Sequence, residues 1–339
     1  MKKVTALLIV LLIASVLLFA AGTAEQAQGP KVMKIAGTMS QAETDGEYQG
    51  TKEFARLVEL YTNGSIKCQI YPSSQLGSFN EFTEGVMMGT IEACVCGASA
   101  MGTNDPFLYF LEMPYIFKDL NHARNLWETD NEAKAKIDES LAGLNMISAG
   151  TLYRSPRVWC NNKRPVSSPK DNTGIKMRAP NSPISLSFAS AMGASPVSVA
   201  WAEVYTALSA GTVDGVENTV TELFNNNMHE VVKYCAETNH MVNTQNILVS
   251  KKWFDSLSAS EQAAIKKAGQ EATVWRANQL SSEVKIAWEA FEKRGVDIIW
   301  QADLDMDAFA IAGQSVIDEY VGKGYFTEAY LDMVKGLGK

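Results

Sequence analysis

Histidine and the short motifs of common catalytic sites are scarce in this sequence. The patterns GxSxG, GxGxxG and HExxH and the P-loop do not occur, and the chain has only three histidines. Glu203, Asp214 and Glu217 lie in one neighbourhood, but they lack the partners of an acid–base pair, so a structural role is favoured. These absences predict no catalytic residue and weaken the case for an enzyme.

Cysteine is also sparse, with five residues and no CxxC pair. A structural zinc site normally needs four Cys or His ligands, so the sequence predicts no metal site and no cofactor. The odd count leaves at least one thiol free or intermolecular, and most of the five are expected to be small core residues. A disulfide between Cys160 and Cys235 is possible in an exported chain, and the sequence leaves it open.

Long apolar runs are missing except near the amino terminus. Lys2 and Lys3 precede an apolar stretch from Leu7 to Ala21, and small residues follow up to Ala24. This order predicts a secretory signal peptide over residues 1–24. The alternative, a membrane anchor, is disfavoured because a spanning helix needs about 20 apolar residues. No Cys stands at the expected cleavage site to carry a lipid.

Basic residues are outnumbered once that segment is removed. The chain has 30 Lys and Arg against 38 Asp and Glu, and residues 1–24 hold two Lys and no acid, so the mature balance is 28 against 38, or −10. A charge of this sign argues against nucleic acid and anionic membrane as partners. The remaining length, about 310 residues, favours two domains over one.

Strand-like and helix-like segments alternate along the first part of the chain. Residues 32–36, 66–70 and 91–95 predict strands. The apolar spacing over 54–61 predicts a helix after the first strand, and a capping box at Ser78 predicts another after the second. This order favours a doubly wound α/β domain.

A second α/β unit is predicted to begin around Arg157. Residues 174–178 predict a strand, and Ser182, followed by proline, predicts the start of a helix that ends near Gly193. A further helix over 201–210 and a short strand over 213–216 complete the pattern.

The capping box at Ser258 opens a segment without a helix-ending residue until Gly295, with Gly269 its one weak point. A helix of some 36 residues would be on the order of 54 Å long, which exceeds one domain of this size. Two interpretations stay open: two helices broken near Asn278, or one helix lying across both domains.

Arg178 is the residue that points most directly to a ligand. It closes a predicted strand, and ligands of open α/β sheets bind at the carboxyl ends of strands. A guanidinium can hold a carboxylate through two parallel hydrogen bonds. The alternative is a surface arginine in a salt bridge, which stabilises a fold by only about 0–1 kcal/mol.

Six short motifs stand in order around and before Arg178. They are GIKMR (174–178), GASP (193–196), WAEVYTAL (201–208), VDGVEN (213–218), YPSSQLG (71–77) and MPY (113–115). Together they resemble the signature of the TRAP transporter substrate-binding proteins, the DctP-like family, over nearly the whole mature chain.

The resemblance implies a fold and its division into domains. The fold is an α/β, two-domain, periplasmic-binding-protein-like clamshell of the class II type, with the long helix spanning both domains. The expected domains are residues 31–154 plus 243–283 and residues 155–242 plus 284–339, after the signal peptide over 1–24. The ligand would lie in the cleft between them.

The resemblance also implies ligand-binding residues. Arg178 would pair with the ligand carboxylate, and Arg157, with Arg154 as the alternative, would be a second cleft arginine. Trp201 would pack over the ligand and Asn218 would hydrogen-bond to it. From the first domain, the loop 40–48 is expected to face the cleft, with Glu43 and Tyr48 reaching it. Gly97 stands where some sialic-acid-binding members have an acid, which argues against that ligand.

The function implied is capture of a small organic acid, a sugar acid or a dicarboxylate, in the periplasm, by a monomer that does no chemistry on it. Its partners would be the acid and the membrane-embedded TRAP permease subunits. Two alternatives stay open, a ligand-sensing protein that acts through a receptor and a secreted sugar-acid enzyme.

Overall fold

A computed structural model describes residues 29–339. The signal peptide expected over residues 1–24 lies outside them. Within them, no helix is both long and apolar enough to cross a membrane. The strands are β1 (Lys31–Ala36), β2 (Ile66–Tyr71), β3 (Ala93–Cys96), β4 (Met146–Asn161), β5 (Lys176–Ala179), β6 (Ser195–Ser198), β7 (Gly215–Thr219), β8 (Tyr234–Ala236), β9 (Val242–Ser250) and β10 (Asp297–Ile299).

The strands form two sheets that share β4. In the first, which we call lobe 1, the order is β2-β1-β3-β9-β4, with β1, β2 and β3 parallel. In the second, lobe 2, β6, β5 and β7 are parallel neighbours, and β4 pairs antiparallel with β7 and with β8, which pairs with β10. Along β4, residues Met146–Pro156 pair with β9, and Arg157–Asn161 pair with β7. One extended strand therefore joins the lobes.

Over residues 29–339, twelve α-helices cover the sheets, joined by short 3-10 turns. They are α1 (Gly46–Tyr61), α2 (Phe79–Met88), α3 (Ala98–Asn104), α4 (Leu120–Glu128), α5 (Glu132–Gly143), α6 (Pro183–Ala191), α7 (Val204–Ser209), α8 (Val220–Asn225), α9 (Lys251–Asp255), α10 (Ala259–Arg294), α11 (Met306–Gly322) and α12 (Glu328–Gly336).

Helix α10 is one continuous helix of 36 residues, which confirms the longer of the two interpretations. Ser258 and Glu261 form the predicted capping box, and Gly295 ends the helix in the left-handed conformation that glycine adopts without strain. The first half packs on α1 and β4, and the second half packs on α8. Residues of α10 enter the apolar cores of both lobes, with Ile265 in lobe 1 and Phe291 in lobe 2.

A third and larger apolar core joins the lobes beside the sheets. It extends from Phe110 in the turn before α4, through Trp159 on β4, to Phe309 on α11. Helix α11 packs on α6, and α12 packs on α5. The carboxyl-terminal helices therefore contact both halves of the chain, and the domain boundaries given above stay a prediction.

Two differences from the expected elements concern lobe 2. The helix predicted over 201–210 is two pieces, a 3-10 turn (Trp201–Glu203) and α7, and the strand predicted over 213–216 lies at Gly215–Thr219. Cys160 and Cys235, which are partners across β4 and β8, form a disulfide. The pairing left open by the sequence is decided by strand register, which no local pattern reveals.

Candidate ligand-binding site

A cavity of about 770 Å³ lies between the lobes. Its walls come from segments that follow strands β1, β2 and β3 in lobe 1 and from the ends of strands β5, β6 and β7 and the segments after them in lobe 2, all at the carboxyl ends of the strands. The remaining wall comes from β4 and β9, which connect the lobes. The carboxyl ends of the strands are where open α/β sheets bind ligands, because the loops converge there. The charged residues among its lining are Arg154, Arg157, Arg178, Glu112 and Glu222.

Arg178, near the end of β5, is a buried cation without an anionic partner. Its Nε donates to the carbonyl oxygen of Val199 at 3.0 Å, and its guanidinium lies over the Trp201 ring, 5.3 Å from the centroid. Only 4% of Arg178 is exposed, and no carboxylate of residues 29–339 forms an ion pair with it. Burial lowers its pKa to about 10, so it remains charged at neutral pH. The remaining guanidinium donors are available to an anion in the cavity.

Arg157, on β4, is already neutralised. Its Nε and Nη2 donate to the two carboxylate oxygens of Glu217 at 2.5 and 2.7 Å, and Nη1 donates to Oδ1 of Asn218 at 3.1 Å. Burial opposes ionisation of Glu217, but Arg157 and the ring of His240, 3.3 Å away, lower its pKa to about 2. This ion pair joins β4 to β7 at the site.

Asn218 presents one side of its amide to the cavity. Its Oδ1 accepts from Arg157 and also from the backbone N–H of Thr219 at 2.8 Å. Both acceptor positions of the oxygen are therefore used. The Nδ2 group has no partner among the described residues, so it can donate to an acceptor inside the cavity.

Arg154, the alternative second arginine, also lines the cavity and is also paired. It forms an ion pair with Glu222 of lobe 2, its Nε lies 3.3 Å from Oε2 of Glu47 in lobe 1, and Nη1 donates to Asn243 at 3.3 Å. A residue of the connecting strand thus contacts acidic side chains from both lobes. Of the three cavity arginines, only Arg178 lacks a carboxylate.

Glu43 and Tyr48 lie away from the cavity, contrary to the expected position of the loop 40–48. Asp45 caps α1 by accepting from the backbone N–H of Glu47 and Tyr48, so the helix begins at Gly46 and Tyr48 lies in its first turn. Glu43 is exposed and contacts Gln49 and Lys52. Lobe 1 instead lines the cavity with residues 77–80 and 97–99. The motif YPSSQLG is the sequence signal for this segment, since its Ser74 and Gly77 line the cavity.

Glu47 makes the stability of the protein depend on pH. Burial raises its pKa to about 8, with Glu222 and Asp45 adding to the effect and Arg154 opposing it, whereas an unperturbed glutamate titrates near 4.5. Between these pH values the folded protein holds a proton that the unfolded chain has released. The stabilisation is therefore complete below about pH 4.5 and is lost as the pH rises through about 8.

We expect the melting temperature of Glu47→Gln to fall less between pH 5 and pH 8 than that of the unmodified protein. Over this range the loss of unfolding free energy should be smaller by at least about 1 kcal/mol. Glutamine cannot lose the proton, so the unfavourable ionisation disappears. Melting curves at several pH values check this. Glu53→Gln, on the same helix, should give a curve parallel to that of the unmodified protein, because the hydrogen bond from Arg56 lowers the pKa of Glu53 and keeps its titration out of this pH range. A Glu47→Gln curve as steep as that of the unmodified protein would show that Glu47 is ionised in the folded state.

Comparisons with known proteins agree with this architecture. The model of the family described as "Bacterial extracellular solute-binding protein, family 7" (DctP) matches residues 37–323. The sialic acid-binding periplasmic protein SiaP of Vibrio cholerae is 30% identical over 81% of this chain and 84% of its own length. The 2,3-diketo-L-gulonate-binding periplasmic protein YiaO of Escherichia coli is 29% identical over 83% of this chain and 84% of its own.

A solved structure gives the same fold. A TRAP periplasmic solute binding protein from Sulfitobacter sp. NAS-14.1, solved with bound β-D-galacturonate, superimposes with a TM-score of 0.83 at 24% identity. The match covers 91% of this chain and 99% of that one. The two-domain α/β clamshell expected from the sequence motifs is confirmed.

Proposed function

Since this chain belongs to bacterial extracellular solute-binding protein family 7, the DctP-type solute-binding proteins of TRAP transporters, we propose that it captures a small organic acid in the cavity between its lobes. Arg178 pairs with the ligand carboxylate, Trp201 packs against the bound molecule, and Asn218 donates a hydrogen bond to it. The protein binds the acid and leaves it unchanged, as a solute-binding protein does.

The observation that carries this proposal is the unpaired charge of Arg178. A buried cation is costly unless an anion accompanies it. Two other arginines of the same cavity are each held by a carboxylate of the protein, so the absence of one beside Arg178 is a local property of that position. A ligand carboxylate supplies the missing charge with the bidentate geometry that a guanidinium favours.

Capture proceeds by closure of the lobes over the ligand. The acid docks on lobe 2, where Arg178, Trp201 and Asn218 lie together. Lobe 1 then closes and adds contacts from the segments after β1, β2 and β3. Closure excludes water, and the lower local dielectric strengthens the ion pair at Arg178. Strands β4 and β9 and helix α10 are the connections that bend.

The closed protein then delivers its ligand to the membrane-embedded permease of a TRAP transporter. This step places the protein in the periplasm, where the named relatives SiaP and YiaO act. The signal peptide expected over residues 1–24 supports that location. Delivery predicts that the ligand-bound form associates with the permease more tightly than the ligand-free form does.

The ligand is a small carboxylate, and a sugar acid is favoured because SiaP and YiaO are named for sialic acid and 2,3-diketo-L-gulonate, both sugar-derived acids. A thermal-shift screen of sugar acids, hydroxy acids and C4-dicarboxylates tests the proposal. A ligand at 100 times its dissociation constant adds about 2.7 kcal/mol to the stability, which is readily measured. Stabilisation by neutral sugars alone, with no response to any acid, would contradict the proposal.

A further inference from the structure

Glu112 is the second unbalanced charge of the cavity. It ends the 3-10 turn of residues 106–112, is 7% exposed, and accepts from the Ser182 hydroxyl at 2.7 Å. Among residues 29–339 it forms no ion pair, whereas the other cavity acid, Glu222, is bound by Arg154. The cavity thus contains one cation and one acid that the protein itself leaves without a counter-charge.

The two groups lie around the same ion pair. The charges of Arg157 and Glu217 act on both Arg178 and Glu112, and Arg157 favours the ionised form of Glu112. Burial raises the pKa of Glu112 above its ordinary value, and the Ser182 hydroxyl and Arg157 oppose this effect without cancelling it. Glu112 is only 7% exposed and lines the same cavity as Arg178, so its carboxyl group faces the space of the ligand that Arg178 anchors.

We propose that Glu112 is a specificity-determining residue that accepts a hydrogen bond from a ligand hydroxyl and rejects a second carboxylate, so that the ligand is a hydroxylated monocarboxylate. This inference rests on the function proposed above, and it favours a sugar acid over a dicarboxylate as the ligand. Only one cavity arginine is free, so a second ligand carboxylate has no cation to meet. It would instead add a negative charge to a cavity that already contains the acid of Glu112.

The remaining polar lining agrees with hydroxyl recognition. It consists of uncharged donors and acceptors, such as Asn80, Asn181, Asn243 and Gln245 together with serines. Amide and hydroxyl groups can donate hydrogen bonds to ligand hydroxyls and accept hydrogen bonds from them without adding a charge to the cavity. A site made to hydrogen-bond a hydroxyl discriminates strongly, since the wrong group leaves buried polar atoms unpaired.

The test compares acids that share a carbon skeleton and differ only at the far terminus. The pairs are D-erythronate with meso-tartrate, D-galactonate with galactarate, and D-gluconate with D-glucarate. Titration calorimetry gives the dissociation constant for each. For the monocarboxylate that binds best, we expect its diacid counterpart to bind roughly 100-fold more weakly or worse, because like charges in a closed site repel.

Glu112→Gln keeps a hydrogen-bonding side chain and removes the charge. We expect it to tighten diacid binding, so that the diacid binds only about 10-fold more weakly than its monocarboxylate counterpart, or less. Glu112→Ala should weaken monocarboxylate binding by about 10-fold through loss of the acceptor. Glu139→Gln, which removes the same charge from an exposed position on α5, should leave the preference unchanged. Melting curves establish that each variant is folded.

The outcomes distinguish a failure of the role of Glu112 from a failure of the proposed capture function. Diacids that bind the unmodified protein as tightly as their monocarboxylates, or a preference that survives Glu112→Gln, would overturn the role of Glu112 and leave the proposed capture of acids intact. Binding of no acid from either set would contradict the capture function itself.

Discussion

Arg178→Ala is expected to abolish high-affinity ligand binding. Removing one partner of a buried ion pair costs about 3–5 kcal/mol, so the dissociation constant for the acid should rise by at least about 100-fold. The ligand-free protein should respond in the opposite way. Because Arg178 is a buried cation with no anion beside it, its removal should leave the melting temperature unchanged or raise it. Calorimetry with the acid found by screening, and melting curves with and without it, measure both effects.

Arg178→Lys provides the matched control, since it keeps the positive charge but loses the planar, two-pronged donor geometry and the stacking on Trp201. Its affinity should lie between those of the unmodified protein and Arg178→Ala. Unchanged affinity in Arg178→Ala would rule out the anchoring role. A large loss of stability in the ligand-free Arg178→Ala protein would mean that the arginine is a framework residue.

The position of Arg178 was predictable from the sequence, but its unpaired state was not. A predicted strand that ends shortly before Pro180 locates the residue near the carboxyl end of β5, which local patterns reveal. Whether an arginine is free depends on the acids that strand pairing brings to it. Arg157 on β4 meets Glu217 on β7, which lies two residues from its register partner Thr219 and 60 residues away in sequence. Glu112 lies at the end of a short 3-10 turn, where no periodicity marks it as a cavity residue.

The fold shows the same division between local and distant causes. The capping boxes at Ser78 and Ser258 located the starts of α2 and α10, because side chain and backbone there are only three residues apart. Strand β4 has no such signal. It has 16 residues, far more than the usual 5 or 6, and it changes partners along its length. Its role as the connection between lobes follows from pairing with β7 and β9, which are distant in the chain.

Gly269, in the first half of α10, is expected to be indispensable for stability although it lies inside a helix. A Cβ atom there would fall far inside van der Waals contact of the Ala149 carbonyl and 3.1 Å from the backbone nitrogen of Gly150. A Cβ on Gly150 would in turn lie 2.5 Å from the carbonyl oxygen of Gly269. These obstacles are backbone atoms of β4, so no side-chain rotation relieves them. The helix and the strand would have to move apart. This would also break the hydrogen bond that the Thr151 N–H donates to the Thr273 hydroxyl at 2.8 Å.

Helix propensity and packing therefore predict changes of opposite sign in the free energy of unfolding of Gly269→Ala. Propensity alone favours alanine over glycine in a helix interior by about 1 kcal/mol. Overpacking against a rigid backbone usually costs about 1–3 kcal/mol and at times more, and here it affects a strand that both lobes share. We expect a net loss of about 2 kcal/mol or more, measured by urea unfolding. Gly143→Ala, at the end of α5 with open space around the new methyl group, should be neutral or slightly stabilising. A Gly269→Ala protein as stable as the unmodified one would mean that α10 and β4 do not pack backbone to backbone.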